Sequence, residues 1–121
     1  MSWADARRIA REHSLLMLAR VRDAERSTGQ RAGLVKLTDF EDDGCYFFLK
    51  GPDAWPLEFH RMITRACARE IRRAGYKAEI ITIHLEQYWR WMESQNLKDA
   101  PENRAQFIAG RSAIQEVPTV D

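Results

Sequence analysis

The chain has 121 residues, a formal net charge of +1, 45% apolar residues and 31% charged residues. This length supports a single hydrophobic core, and the apolar fraction argues against intrinsic disorder. No stretch is apolar over the ~20 residues that a membrane-spanning helix needs. Arg7, Arg8 and Arg11 stand where a secretory signal would be apolar, and Cys45 and Cys67 are too few for a disulfide framework. We therefore expect one domain in the reducing cytoplasm, with no membrane partner.

The first predicted helix begins at Ser2, which stands at capping-box spacing from Asp5, and it runs to about Arg26. Its apolar residues fall on more than one side, because Leu15 and Leu18 lie away from the main apolar stripe. Either the rest of the chain wraps this helix or the helix packs against a second copy. The second interpretation predicts a homodimer formed through the first helix.

Two strands are predicted after this helix. Residues 34–40 alternate apolar and polar side chains, as a half-buried strand does, and residues 45–50 are rich in aromatic side chains. Asp42, Asp43 and Gly44 between them are typical turn residues. The pattern predicts a β-hairpin.

A second helix is predicted from Pro56 to Ala74, with Gly75 as its stop signal. The β-branched residues within 76–83 then predict a third strand.

Two shorter helices complete the predicted elements. Residues 84–95 carry an apolar stripe at helical spacing, and a further helix begins after Asp99 with Pro101 in its first turn.

The element order α-β-β-α-β-α-α predicts a single α+β domain over residues 1–110, in which helices pack on a three-stranded, mostly antiparallel sheet. The third strand is expected beside the first and antiparallel to it. Residues 111–121 are expected to form a mobile C-terminal tail.

Four arginines form a row on the second predicted helix. Arg61, Arg65, Arg69 and Arg72 are spaced by four, four and three residues, so they share one helix face. Such a row is suited to phosphates or to an acidic partner, because guanidinium groups bind both through paired hydrogen bonds. The alternative is an ordinary solvated face.

Glu70 is placed by the helical pattern inside the apolar face of the same helix. A buried carboxylate needs a partner, and Arg20 is one candidate. Alternatively, Glu70 is a catalytic group with a raised pKa.

Metal and nucleophile sites have weak support in the sequence. His60, Cys67, Cys45 and His84 are each isolated, whereas zinc ligands normally occur in close pairs. No nucleotide-binding or hydrolase motif is present. We therefore predict no metal and no cofactor.

Trp91 lies two residues beyond the apolar stripe of its helix. Either Phe107 and Ile108 of the last helix cover it, or it is exposed and available to a partner protein or to a nucleic-acid base.

These patterns predict an interaction or regulatory module, rather than an enzyme, that binds a macromolecular partner through the arginine row and Trp91. Protein and nucleic acid are not distinguished as partners. The alternative is a small metal-dependent hydrolase or nuclease that uses Glu70, His60 or His84 together with the acidic turn around Asp42 and Asp43.

Overall fold

The computed structural model describes residues 2–116. Within them the helices are α1 (Trp3–Thr28), α2 (Asp43–Lys50), α3 (Leu57–Arg73), α4 (Leu85–Ser94) and α5 (Pro101–Arg111), and the strands are β1 (Ala32–Phe40), β2 (Lys77–Ile83) and β3 (Ala113–Glu116). No helix in this range combines the length and the apolar character that crossing a membrane requires.

Local capping chemistry sets the ends of several helices where the sequence predicted them. At the start of α1, the Ser2 hydroxyl accepts a hydrogen bond from the Asp5 amide at 3.2 Å, and the Asp5 carboxylate accepts one from the Ser2 amide at 3.3 Å. Pro101 opens α5. After α3, Gly75 adopts a φ of 95°, a left-handed conformation that glycine tolerates best.

The predicted second strand is wrong, because residues 43–50 form helix α2. The side chain of Asp42 accepts a hydrogen bond from the Cys45 amide at 2.8 Å and so caps the helix. The buried residues of this segment are Cys45, Tyr46 and Leu49, and Phe47 is exposed. Burial at this spacing is typical of a helix and not of a strand. Aromatic content suggested a strand, but a short apolar run fits either element by periodicity alone.

The predicted mostly antiparallel sheet and its element order are also wrong. The sheet order is β2-β1-β3, with β1 parallel to β2 and antiparallel to β3. Leu34 lies opposite Lys77, and Phe40 lies opposite Ile83. The hairpin does not form because helices α2 and α3 connect β1 to β2, and a crossover of this kind returns the chain in its original direction.

The segment assigned to a tail lies partly in the sheet. Ala113–Glu116 forms β3 and pairs with β1. The remaining part of the predicted tail, residues 117–121, lies outside the described residues.

The core consists of two clusters at different ends of the sheet. The first joins α1 and α3 to Val35 and Leu37 of β1. The second surrounds Phe40 and Ile83, the last residues of the parallel strands, and includes Tyr88 of α4 and Phe107 of α5. The two long helices therefore share one cluster, and the three shorter helices cover the strand ends.

Helices α1 and α3 run side by side in the same direction. Near their starts, the rings of Trp3 and Phe59 are 4.7 Å apart, and further along the Ser14 hydroxyl lies 3.6 Å from the Cys67 sulfur. Near the end of α1, Glu25 accepts a hydrogen bond from Tyr76, which follows α3. Residues at matching heights on the two helices are therefore neighbours.

Replacing Ile71 with alanine is expected to destabilise the fold by about 2–5 kcal/mol, because Ile71 is fully buried in the first cluster and the substitution leaves a cavity. The control is Leu16→Ala on α1, where the side chain is 60% exposed and the expected change is within about 0.5 kcal/mol. Urea denaturation monitored by circular dichroism measures both. Equal effects of the two substitutions would contradict the described core.

Candidate functional site

A groove between α1 and α3 is the most distinctive surface feature. Its cavity has a volume of about 540 Å³. Ala10, Met62 and Ala66 contribute apolar surface to it. Arginines line it from both helices: Arg7 and Arg11 from α1, and Arg69 and Arg73 from α3. We call this feature, together with Arg65 beside it, the arginine groove.

Small residues at the helix contact allow the groove to form. Ala6, Ala10 and Ser14 are buried on α1, and Cys67 and Ala68 are buried on α3. The Ser14 hydroxyl donates to the carbonyl of Ala10 at 2.6 Å, so its burial leaves no unpaired donor. Because contact side chains set the separation of packed helices, these residues permit a close approach.

Four of these arginines lack acidic partners. No carboxylate among residues 2–116 lies within 4 Å of the guanidinium nitrogens of Arg7, Arg11, Arg65 or Arg69. The one acidic residue that lines the groove cavity, Glu70, pairs with Arg73 at 2.9 Å. The groove therefore carries an excess of positive charge at its surface.

The structure brings part of the predicted arginine row together. Arg65 and Arg69 are exposed and adjacent, and Arg72 and Arg73 line a shallow cavity with them. Arg72 also donates a hydrogen bond to the carbonyl of Ala78 at 2.9 Å. Arg65 and Arg69 thus have free guanidinium groups, whereas Arg72 has one contact within the protein.

Arg61 has a mainly structural environment. Its Nε donates to the Asp39 carboxylate at 3.1 Å, and a terminal nitrogen donates to the carbonyl of Phe40 at 2.8 Å. These bonds tie α3 to the end of β1. Arg61 is therefore less available than Arg65 or Arg69 to an external anion.

Trp91 lies away from the arginines, in the second core cluster. Its ring is 5.5 Å from that of Phe107 and 6.3 Å from that of Tyr88, and Ile108 packs on the same cluster. The last helix therefore covers it in part, as one of the two sequence interpretations predicted. On this helix it is Trp89 that is exposed, at 44%.

Trp3 is a candidate residue that the sequence analysis missed. It is 49% exposed and lines a cavity of about 480 Å³ whose other lining residues are Glu58, Arg61, Met62, Arg65 and Arg69. The available signal was its spacing, because Trp3, Arg7, Arg11 and Leu15 recur every four residues. The sequence of α1 by itself does not show that these four residues face α3.

The residues proposed for hydrolysis are only partly brought together, because His84 contacts the acidic turn at Glu41 whereas Glu70 pairs with Arg73 on α3. Glu70 and His60 are ten residues apart on α3, about 15 Å along its axis. Glu70 is half-buried and pairs with Arg73 rather than with Arg20. His84 lies at the end of β2, where its Nδ1 is 2.6 Å from the Glu41 carboxylate.

His60 is held inside the fold. Its Nε2 lies 2.9 Å from the carbonyl of Thr38, and burial lowers the pKa of the imidazole. No group of three or more histidine, cysteine or acidic residues within residues 2–116 is arranged to hold a metal ion.

The acidic residues predicted as a turn form a second, oppositely charged surface. Glu41, Asp42, Asp43 and Glu58 line one cavity with Arg61. Two of these acids have local structural partners, since Asp42 caps α2 and Glu41 bonds to His84. This acidic cavity adjoins the Trp3 cavity, because Glu58 and Arg61 line both.

Comparison of the sequence with protein-family models and with curated proteins finds no match. The function is therefore argued from the surface itself.

Both thiols are expected to react slowly with a thiol reagent in the native protein. Cys45 and Cys67 are unpaired and buried, and burial raises the pKa of Cys45 to about 11 and that of Cys67 above its ordinary value. Because the thiolate is the reactive form, labelling should accelerate as pH rises towards these values. A colorimetric titration should count two thiols in urea, and rapid native labelling of both at neutral pH would contradict this.

Proposed function

We propose that this protein is a binding module that docks nucleic acid through the arginine groove. The observation that carries the proposal is the set of four arginines, Arg7, Arg11, Arg65 and Arg69, that share one surface without acidic partners in residues 2–116. Grouping like charges is unfavourable unless solvent or a partner compensates them. An anionic ligand supplies that compensation.

A phosphate backbone fits the spacing of these charges. Arg7 and Arg11 are one helical turn apart, as are Arg65 and Arg69, so each pair is separated by about 6 Å along its helix. Two such pairs flank the groove. A regular series of charges complements the regular phosphates of a nucleic acid, and guanidinium groups bind phosphate oxygens in pairs.

The reducing cytoplasm remains the proposed location. The support is chemical, because two buried thiols that form no disulfide suit a reducing compartment.

Changing Arg65 and Arg69 together to glutamate should abolish nucleic-acid binding. The wild-type protein is expected to bind a labelled oligonucleotide at about 50 mM salt, with affinity falling linearly in log–log form as salt rises. A matched control is Arg26→Glu with Arg90→Glu, which makes the same change in net charge at two arginines that lie elsewhere and pair with Asp23 and Glu86. Fluorescence anisotropy measures the affinities.

Both double variants should keep the wild-type melting temperature within a few degrees, because exposed charges contribute little to stability. Absence of salt-sensitive binding by the wild-type protein to both DNA and RNA would overturn the proposed function. Equal losses in the two variants would show that net charge, and not the groove, controls binding.

A homodimer through α1 is proposed as a second property of the protein. Leu15 and Leu16 are 62% and 60% exposed, and Leu15 also lines the groove cavity, whereas Leu18 packs in part against the first core cluster. Sedimentation at micromolar concentration should give a dimer, and Leu15→Ser with Leu16→Ser should give a monomer because the apolar contact is lost. A wild-type monomer under these conditions would contradict dimerisation without affecting the groove.

A further inference from the structure

The groove continues into an aromatic position at one end. Trp3 stands one helical turn before Arg7 on α1, and it lines the adjoining cavity with Met62 and three arginines, Arg61, Arg65 and Arg69, which outnumber the single carboxylate there, Glu58. Arg69 also lines the groove cavity, so the two cavities share this side chain. The exposed indole, the apolar thioether and the free guanidinium groups therefore form one continuous surface.

The surroundings of Trp3 fix the position of its ring while leaving much of it accessible. The ring contacts that of Phe59 at a centroid distance of 4.7 Å and an interplanar angle of 81°. Phe59 is itself buried, so it provides a rigid support at the start of α3. About half of the Trp3 surface is nevertheless exposed, at 49%. A large apolar group held in this way is suited to stacking with another ring.

An unpaired base is the partner that uses both the indole and the arginines. In a duplex the faces of the bases are already stacked, so an exposed tryptophan gains little from contact with the outer surface. In a single strand the bases are available to aromatic side chains while a positively charged groove follows the backbone. From Trp3 to Leu15 the surface extends about 18 Å along α1, which accommodates several successive nucleotides.

We infer that the arginine groove binds single-stranded nucleic acid, with one base stacked on Trp3 and the adjoining phosphates on Arg65 and Arg69. This inference rests on the proposed function and specifies its ligand. DNA and RNA share the chemistry required, namely a phosphate backbone with unpaired bases. The apolar surface of Met62 beside Trp3 accommodates the edge of the same base.

The test compares oligo(dT) and oligo(U) of about 12 nucleotides with a duplex of the same length, measured by fluorescence anisotropy at about 50 mM salt. Trp3→Ala should lower the affinity for both single strands by about 5- to 150-fold, which corresponds to the roughly 1–3 kcal/mol that stacking one base contributes. Its affinity for the duplex should stay within about twofold of wild type, because the phosphate contacts remain.

Two further variants separate stacking from general damage. Trp3→Phe keeps an aromatic ring against Phe59 and should retain most of the single-strand affinity. Trp89→Ala removes the other strongly exposed tryptophan, which packs beside Phe48 and lines neither the groove cavity nor the Trp3 cavity, and it should change neither affinity. Circular dichroism melting of each variant establishes that it is folded at the assay temperature.

Intrinsic fluorescence provides a direct measure of stacking. Oligo(dT) should quench part of the wild-type tryptophan emission, and that part should be absent in Trp3→Phe, because the stacked indole is gone while the other three tryptophans remain. Quenching of the same size in the variant would overturn the inference.

The outcomes distinguish the inference from the function on which it rests. If binding depends on Arg65 and Arg69 but Trp3→Ala affects single strand and duplex equally, the stacking inference fails and nucleic-acid binding stands. If no nucleic acid binds, both fail. If polyglutamate competes as effectively as oligo(dT) and Trp3→Ala has no effect, the groove is a site for acidic protein, and the single-strand inference is overturned.

Discussion

The close contact of α1 with α3 is the constraint on which the rest of the molecule depends. Small buried residues on both helices, including Ala10, Ser14 and Ala68, allow them to lie together over β1. A larger side chain at Ala68, which is fully buried, would push the helices apart, because protein cores are close-packed. The approach also brings long side chains from two helices onto one surface. Packing and surface charge are thus linked, since the contact that forms the core also assembles the arginine groove.

Local features of the sequence were enough to predict most of the helices. They were not enough to predict the direction and pairing of the strands, which depend on residues far apart in the chain. Helix-end signals act within a few residues of chain, so a short stretch of sequence is enough to predict them. Examples are the cap at Ser2, the proline at Pro101 and the glycine at Gly75. The prediction of a strand over residues 45–50 failed because the five-residue apolar run 45–49 fits strand and helix patterns alike, and Asp42, which caps the helix, was interpreted as a turn residue. That single error converted a parallel crossover into a hairpin and so inverted the direction of β2 relative to β1.

The candidate site was predictable in part for the same reason. Arg65 and Arg69 share a helix face by spacing alone, and the structure places both on the groove. Arg61 could not be separated from them, because its bonds to Asp39 and to the carbonyl of Phe40 join elements that are distant in sequence. Arg7 and Arg11 were overlooked because their significance comes from the neighbouring helix. Helix pairing, and not residue identity, determines which arginines share one surface here.

The arrangement also explains how a chain of nearly neutral charge can present a strongly basic surface. The carboxyl ends of β1 and β2 lead into the N-termini of α2 and α4, where acidic groups are favoured by the helix dipole and by capping. Asp42 and Glu41 are placed there by these local requirements. Arg7, Arg11, Arg65 and Arg69 lie instead along the sides of the two long helices, where no carboxylate of residues 2–116 is within 4 Å of their guanidinium nitrogens. The topology therefore places these arginines and the capping acids on different parts of the fold.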